Sequence, residues 1–409
     1  MKIIKVLFIY FFIITYSVET LLFLFSSNEQ KSLIDIKNTR ISLAKKNNKK
    51  YDIRSPEEAF FDFKKINNDI KPFFYYNSTF SVFKTFKEAL LKNSIIPFRG
   101  PINNRSVSCA EDLNYTLINN DKFGFKNTNS IYKQKINTAI LGDSYAEGLC
   151  VNNSNDIAGN LIQKKINTIN LGVTGSGPLT TLAILREYGN FFKPKNSIYL
   201  YFEGNDLDDL NWEKKNDQLL KYLNNSYKLD YINNYKYIEI FLKEAEKESI
   251  KIARLRLSTG NYDKAIQKKK INLIKEHLKD IIELNHLKNI IKFNILNNQN
   301  IQYDLNFLYD VVERMNIETK NWNGDFIFVY VPTWSRYFTS HSKEVPKQKL
   351  KDEILKNIEL KGIKTIDLTD FFDSTENIKQ FFPLGYLGHF NSNGYKKIAE
   401  IVIKELDIN

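Results

Sequence analysis

Four short stretches carry the residue types of acyl-transfer chemistry. In Thr138-Ala139-Ile140-Leu141-Gly142-Asp143-Ser144 an apolar run stops abruptly at a serine, and helix-compatible sequence follows. That pattern reads as a buried parallel strand entering a tight turn. In open α/β sheets the ligand crevice lies outside such strand ends. A serine there becomes a nucleophile if a base can reach it. The other stretches are the glycine-rich Asn170-Leu171-Gly172-Val173-Thr174-Gly175-Ser176-Gly177-Pro178, then Glu203-Gly204-Asn205-Asp206, then Gly388-His389-Phe390-Asn391. They offer backbone donors, a side-chain amide and an imidazole. Gly-Asp-Ser alone is also a common turn; four such stretches in order are a stronger signal. Asp143 and Asp206 read as hydrogen-bonders within their own turns.

The elements that must position these residues follow from the apolar pattern. Strand-length runs rich in Ile, Val, Phe and Tyr cover Thr138–Leu141, Thr168–Leu171, Ser197–Phe202, Asp325–Val331 and Lys364–Leu368. Helix-like stretches separate them, near Asp156–Lys165, Leu179–Tyr188, Tyr303–Glu318, Lys347–Leu360 and Ser392–Leu406. Such alternation predicts an α/β fold with a parallel sheet covered on both faces. The three motifs after Ser144 then fall at the same sheet edge. Between about 211 and 300 the rhythm breaks. Ile271, Ile274, Leu278, Ile281, Ile282, Leu287 and Ile291 recur at helical spacing, which predicts a helical insertion. It could serve as ordinary packing, a lid, a groove wall or a membrane-surface contact.

In this order the motifs resemble the SGNH/GDSL hydrolase superfamily: Ser144 in Gly-Asp-Ser, Gly175 in the glycine turn, Asn205 in Gly-Asn-Asp, and His389 near the end. The likeness covers roughly residues 136 to 206 and 325 to 407. It implies a three-layer αβα sandwich with a five-stranded parallel sheet, flavodoxin-like in form. It also implies an esterase or O-acyl transferase acting on acylated carbohydrate or lipid. Ser144 and His389 would be catalytic, and the Ser144 and Gly175 backbone N–H groups with the Asn205 amide would form the oxyanion hole. The family usually carries an aspartate three residues before the histidine, and here that position is Tyr386. Three readings stay open. A serine–histidine dyad could suffice with a backbone carbonyl behind the imidazole. Asp367 or Asp370 could substitute. Or the site could serve binding and assembly rather than turnover.

The rest of the chain bounds compartment and partners. Lys2 and Lys5 precede Val6 to Phe25, an apolar segment interrupted by one charge, Glu19. It is long enough to span a bilayer and shows no evident small-residue cleavage site, which favours an uncleaved signal anchor over residues 1–25 against the alternative of a cleaved signal peptide. The remainder is then expected on the extracytoplasmic, periplasmic face of the inner membrane. A juxtamembrane linker and an extended arm with short strands, wrapped on the main domain, would occupy 26–130, with the hydrolase domain over 131–409. Ser55-Pro56-Glu57-Glu58 has the form of a helix start. The net charge of +12 comes from dispersed lysines, with no basic and aromatic interleaving that would suit nucleic acid. Cys109 and Cys150 could be bridged or free, and a bridge would tie the arm to the Gly-Asp-Ser loop. The upstream arm, with Cys109, Asp121-Lys122-Phe123-Gly124-Phe125 and Cys150, resembles a membrane-anchored bacterial subgroup, which favours the bridge. His277, His286 and His341 have no partner at metal-ligand spacing, so no metal or other cofactor is expected. Trp334 and Tyr337 could line the groove or pack.

Overall fold

A computed structural model describes residues 15–16, 33–72, 98–258, 303–338 and 344–406. Apart from Thr15 and Tyr16, the apolar segment 1–25 lies outside these residues. So do the 271–291 periodicity, His277, His286 and His341. Among the described residues no helix is long and apolar enough to cross a membrane.

In chain order the helices used below are α1 (Leu33–Lys46), α2 (Pro56–Ile66), α3 (Ser144–Glu147), α4 (Ile157–Gln163), α5 (Pro178–Ile184), α6 (Asp206–Glu213), α7 (Tyr235–Ser258), α8 (Leu305–Lys320), α9 (Glu344–Leu360), α10 (Leu368–Asp373) and α11 (Ser392–Glu405). The strands are β1 (Ile70–Pro72), β2 (Asn104–Val107), β3 (Leu117–Asn120), β4 (Thr138–Gly142), β5 (Thr168–Asn170), β6 (Asn196–Phe202), β7 (Asp325–Val331) and β8 (Lys364–Asp367). One compact unit comprises Leu43–Lys251 and Asp304–Asn409, and a second comprises Met1–Ser42 and Ile252–Tyr303. Within the second, the described residues are largely the start of α1 and the end of α7.

The main sheet has the order β5-β4-β6-β7-β8, and every pairing is parallel. The chain leaves β4 for β5 on one side and returns to β6 on the other. β4 and β6 therefore flank the topological switch point, where an open α/β sheet leaves its crevice. All of β4 and β6 is buried, as strands covered on both faces must be. Ile140, Ile198, Leu200, Val329 and Ile366 join one core cluster with Leu161 of α4 and Ile398 and Val402 of α11. The alternate positions Leu141, Tyr199, Tyr201, Phe328 and Tyr330 are buried too, on the side where α5 and α8 pack.

From Leu43 onward, the arm preceding β4 belongs to the same compact unit as the sheet. Its apolar residues account for this: Phe98, Ile118 and Phe125 are all buried. Helix α2 starts with a full capping box, in which Ser55 Oγ accepts from Glu58 N at 3.1 Å and Glu58 Oε2 accepts from Ser55 N at 2.6 Å. Strands β1, β2 and β3 form a small second sheet, parallel then antiparallel. In the insertion no strand occurs between residues 211 and 258, and α7 supplies a 24-residue helix.

Candidate active site

Strand β4 ends on Gly142, whose φ of +131° few L side chains tolerate. A Cβ there would stand 2.6 Å from the Leu200 carbonyl oxygen of β6. Glycine thus lets the chain turn sharply beside its neighbour. Asp143 then caps the single turn of α3, its Oδ1 accepting from Tyr145 N at 2.8 Å. Ser144 opens that turn and is 8% exposed.

The structure brings His389 to Ser144. Nε2 of His389 lies 2.8 Å from Ser144 Oγ, although 245 residues separate them. The histidine sits just before α11, whose N-cap Asn391 accepts from Asn393 N and Gly394 N at 3.0 Å each. Phe390 is buried and stacks on Phe372, which anchors the loop from below. Tyr145 adds a third restraint: its hydroxyl donates to Gly388 O at 3.3 Å and its ring lies 4.9 Å from the imidazole.

Behind the imidazole stands a carboxylate that the sequence reading did not name. Glu111 Oε1 is 3.1 Å from His389 Nδ1, and Glu111 Oε2 accepts the His389 backbone N–H at 2.7 Å. The Nδ1 contact becomes an ion pair when the imidazole is protonated. Both side chains are largely buried, at 14% and 19% exposure.

Glu111 comes from the connection between β2 and β3. Ser108 N donates to Thr116 O at 2.8 Å, and Thr116 N to Cys109 O at 3.2 Å, closing that connection into a loop. Tyr51 Oη donates to Ala110 O, and Asp52 N to Leu113 O at 2.8 Å. A disulfide joins Cys109 to Cys150, and Thr116 Oγ1 donates to Cys150 O at 3.0 Å. The arm is thereby fixed to the loop that follows the nucleophile.

Asp367 and Asp370 are the acids considered from sequence. Asp367 pairs with Lys351 and caps α10 through Thr369 N at 2.9 Å. Asp370 is exposed in the first turn of α10. Tyr386, at the family's usual aspartate position, is half-buried. One signal for Glu111 was present in the sequence: it lies two residues past Cys109.

The glycine turn after β5 is tied to the nucleophile turn. Gly175 adopts φ +79° and is half-buried. Its neighbour Thr174 donates to Glu147 Oε2 twice, from N at 2.8 Å and from Oγ1 at 2.6 Å. The other oxygen of Glu147 pairs with the buried Arg99 of the arm. Val173 N and Ser176 Oγ also donate to Gly142 O, at 2.9 and 3.1 Å. Hence Ser144 and Gly175 are held in one frame. Glu147 was not singled out from sequence, because its role depends on Arg99 and Thr174 arriving from distant segments.

Asn205 follows β6 and is half-buried. Its Nδ2 donates to Asp209 Oδ2 at 2.8 Å. An amide carries two N–H donors, so one such bond leaves a second for a ligand.

Buried carboxylates underlie this edge. Burial pushes Asp143 up to about 6, against the opposing pull of its Tyr145 N–H bond. Burial, then the nearby Asp143 charge, drives Asp206 well above the usual carboxylate range. Asp206 accepts from Tyr199 Oη at 2.8 Å and Phe202 N at 3.0 Å, which fixes the end of β6. Burial also raises Glu213 to about 7, although it accepts from Gly177 N, Leu179 N and Thr180 N at the start of α5. Trp334 and Tyr337 pack against the main core cluster.

This arrangement can deprotonate a serine hydroxyl, hold the resulting imidazolium against a carboxylate, and present N–H donors nearby. No family model and no curated protein matches the chain. A structure similar to it in the solved set is described as a "putative lipolytic protein of G-D-S-L family" from Desulfitobacterium hafniense DCB-2. It is 13% identical, covers 66% of this chain and 98% of its own, and gives a TM-score of 0.31.

Proposed function

We propose that the protein is a serine esterase or O-acyl transferase of SGNH/GDSL type. The contact that carries this reading is Ser144 Oγ to His389 Nε2 at 2.8 Å, with Glu111 behind the other ring nitrogen. Ser144 Oγ attacks an ester carbonyl while its proton moves to Nε2. The carbonyl oxygen becomes anionic and receives the backbone N–H groups of Ser144 and Gly175 and the second N–H of Asn205. Each such donor is worth on the order of 3 kcal/mol of transition-state stabilisation. His389 then returns its proton to the departing alcohol, leaving an acyl-serine. A second alcohol or water loses a proton to Nε2 and attacks the acyl carbon. The acyl group leaves on that acceptor, and Ser144 recovers its proton.

Glu111 takes the part of the orienting acid. A carboxylate facing Nδ1 keeps the proton there and the Nε2 lone pair toward Ser144. The absence of a carboxylate at 386 was the one sequence feature that favoured a binding and assembly protein, and Glu111 removes that support.

The substrate is an acyl ester of a cell-envelope carbohydrate or lipid, reached by a protein anchored through residues 1–25 on the periplasmic face of the inner membrane. The apolar N-terminal segment and the family resemblance support this part. Purified protein should label covalently with a fluorophosphonate at Ser144 and cleave an activated acetyl ester. Absence of both from folded protein would overturn the assignment.

A further inference from the structure

We propose that reduction of the Cys109–Cys150 disulfide opens a zinc-type metal site made of the Cys150 thiolate, the Glu111 carboxylate and His389 Nδ1. The ligand atoms of these three residues lie within 4.8 Å of one another. They are one sulfur, one oxygen and one nitrogen, a donor set that suits Zn²⁺. Zinc–ligand bonds of about 2.0 to 2.3 Å place donors roughly 3.5 Å apart, so each atom need move by less than ~1 Å. Nδ1 is the nitrogen concerned, because it already faces Glu111 while Nε2 faces Ser144.

With the bridge intact the sulfur is bonded to Cys109 and cannot be a thiolate, the form that binds metal. A dithiol reductant supplies two electrons and two protons to the S–S bond, giving two thiols and its own disulfide. Metal binding then displaces the Cys150 proton to solvent. The donors stay together without the bridge, because other bonds join the same two segments. Asn119 N donates to Asn153 Oδ1 at 2.8 Å, Asn153 Nδ2 to Asn119 O at 2.9 Å, and Thr116 Oγ1 to Cys150 O at 3.0 Å. Three protein ligands leave the fourth position to water.

Occupancy would silence the proposed esterase by a defined route. A metal on Nδ1 forces the neutral ring's proton onto Nε2, which then points a donor at Ser144 and cannot accept its proton. Glu111 is withdrawn at the same time. Only this effect on rate rests on the proposed Ser144–His389 chemistry; binding does not.

The test uses Co²⁺ and Zn²⁺ on the full chain in four forms: oxidised wild type, wild type reduced with a phosphine, Cys109→Ser and Cys150→Ser. Both variants lack the bridge, but only the first keeps the Cys150 thiol. Reduced wild type and Cys109→Ser should show a thiolate-to-cobalt charge-transfer band that saturates at one equivalent and is bleached by Zn²⁺. Oxidised wild type and Cys150→Ser should show none. Zn²⁺ should lower ester hydrolysis by Cys109→Ser roughly a hundredfold, the usual contribution of a general base, and a chelator should restore it. Equal cobalt spectra for the two variants would overturn the proposal. So would reduced wild type that keeps its near-ultraviolet dichroism and shows no band. Loss of that dichroism on reduction would overturn it too, since the site needs the fold to outlast the bridge. A cobalt band in a protein with no hydrolytic activity would retain the metal site and reject the esterase.

Discussion

Replacing Glu111 by Gln removes one negative charge from behind His389 and little else. The carbonyl oxygen of Gln can still accept the His389 backbone N–H, so the loop has a reason to stay in place. Opposite unit charges 3.1 Å apart attract by about 5 kcal/mol at an effective dielectric of about 20. Both side chains retain some exposure, and screening that halves the attraction leaves about 3 kcal/mol. At 1.36 kcal/mol per tenfold, that is a loss of roughly a hundredfold in kcat. The Gln amide can also turn its NH₂ toward Nδ1 and select the wrong tautomer. The equivalent Asp-to-Asn change in serine-protease triads costs about 10⁴. The expected fall in kcat for Glu111→Gln is therefore between about 10² and 10⁴, with a smaller change in KM. Glu111→Asp should recover part of it. The assay is steady-state hydrolysis of an activated acetyl ester by protein with wild-type far-ultraviolet dichroism. A folded Glu111→Gln protein within about threefold of wild type would refute the reasoning, since the ion pair would then do nothing for the imidazolium.

Three further outcomes follow from the same frame. Glu147→Gln breaks a buried pair with Arg99 and should cost about 3 to 5 kcal/mol in urea unfolding, besides lowering kcat by loosening Thr174 and Gly175. Gly142→Ala should destabilise by about 1 to 3 kcal/mol, from positive φ and the approach to Leu200 O, read as a shifted urea midpoint. Burial raises the folded-state pKa of Glu213 from 4.5 to about 7, so the folded protein holds a proton that the unfolded chain releases. Its contribution to stability is full below about pH 4.5 and is lost as pH rises through about 7. Glu213→Gln stays neutral and should flatten that part of the Tm-against-pH curve, a difference reaching about 3 kcal/mol at the alkaline end. Parallel curves for the two proteins would contradict it.

The sheet was legible because parallel strands buried on both faces are written as unbroken apolar runs. Asp325–Val331 begins and ends as the pattern indicates, and the other four strands shift by a residue at one end. Edges drifted where a turn residue rather than an apolar one sets the end, as at Gly142 and Asn196. The α5 stretch differed more: regular helix stops at Ile184, and Leu185–Gly189 continues as a π-turn that periodicity alone does not distinguish. At the site, Ser144, Gly175, Asn205 and His389 each sat in a local motif, which is what sequence displays. Glu111 did not. Its position relative to His389 depends on the β2–β3 connection, the bridge to Cys150 and the burial of the arm, and these are long-range facts. Asp367 was a reasonable candidate by its place at the end of β8, but Lys351 reaches it from α9. The pairs that hold the arm inside, Arg99 with Glu147 and Lys126 with Asp156, join distant segments and so are not written in any local motif.

The most direct measurement is the mass of the Ser144 peptide after brief acid quenching of a reaction with an activated acetyl ester. One acetyl group should appear on Ser144, should accumulate within a turnover, and should be missing from Ser144→Ala and strongly diminished in His389→Ala. Turnover of the ester by folded protein with no acyl group ever on Ser144, or with equal labelling in His389→Ala, would contradict the account.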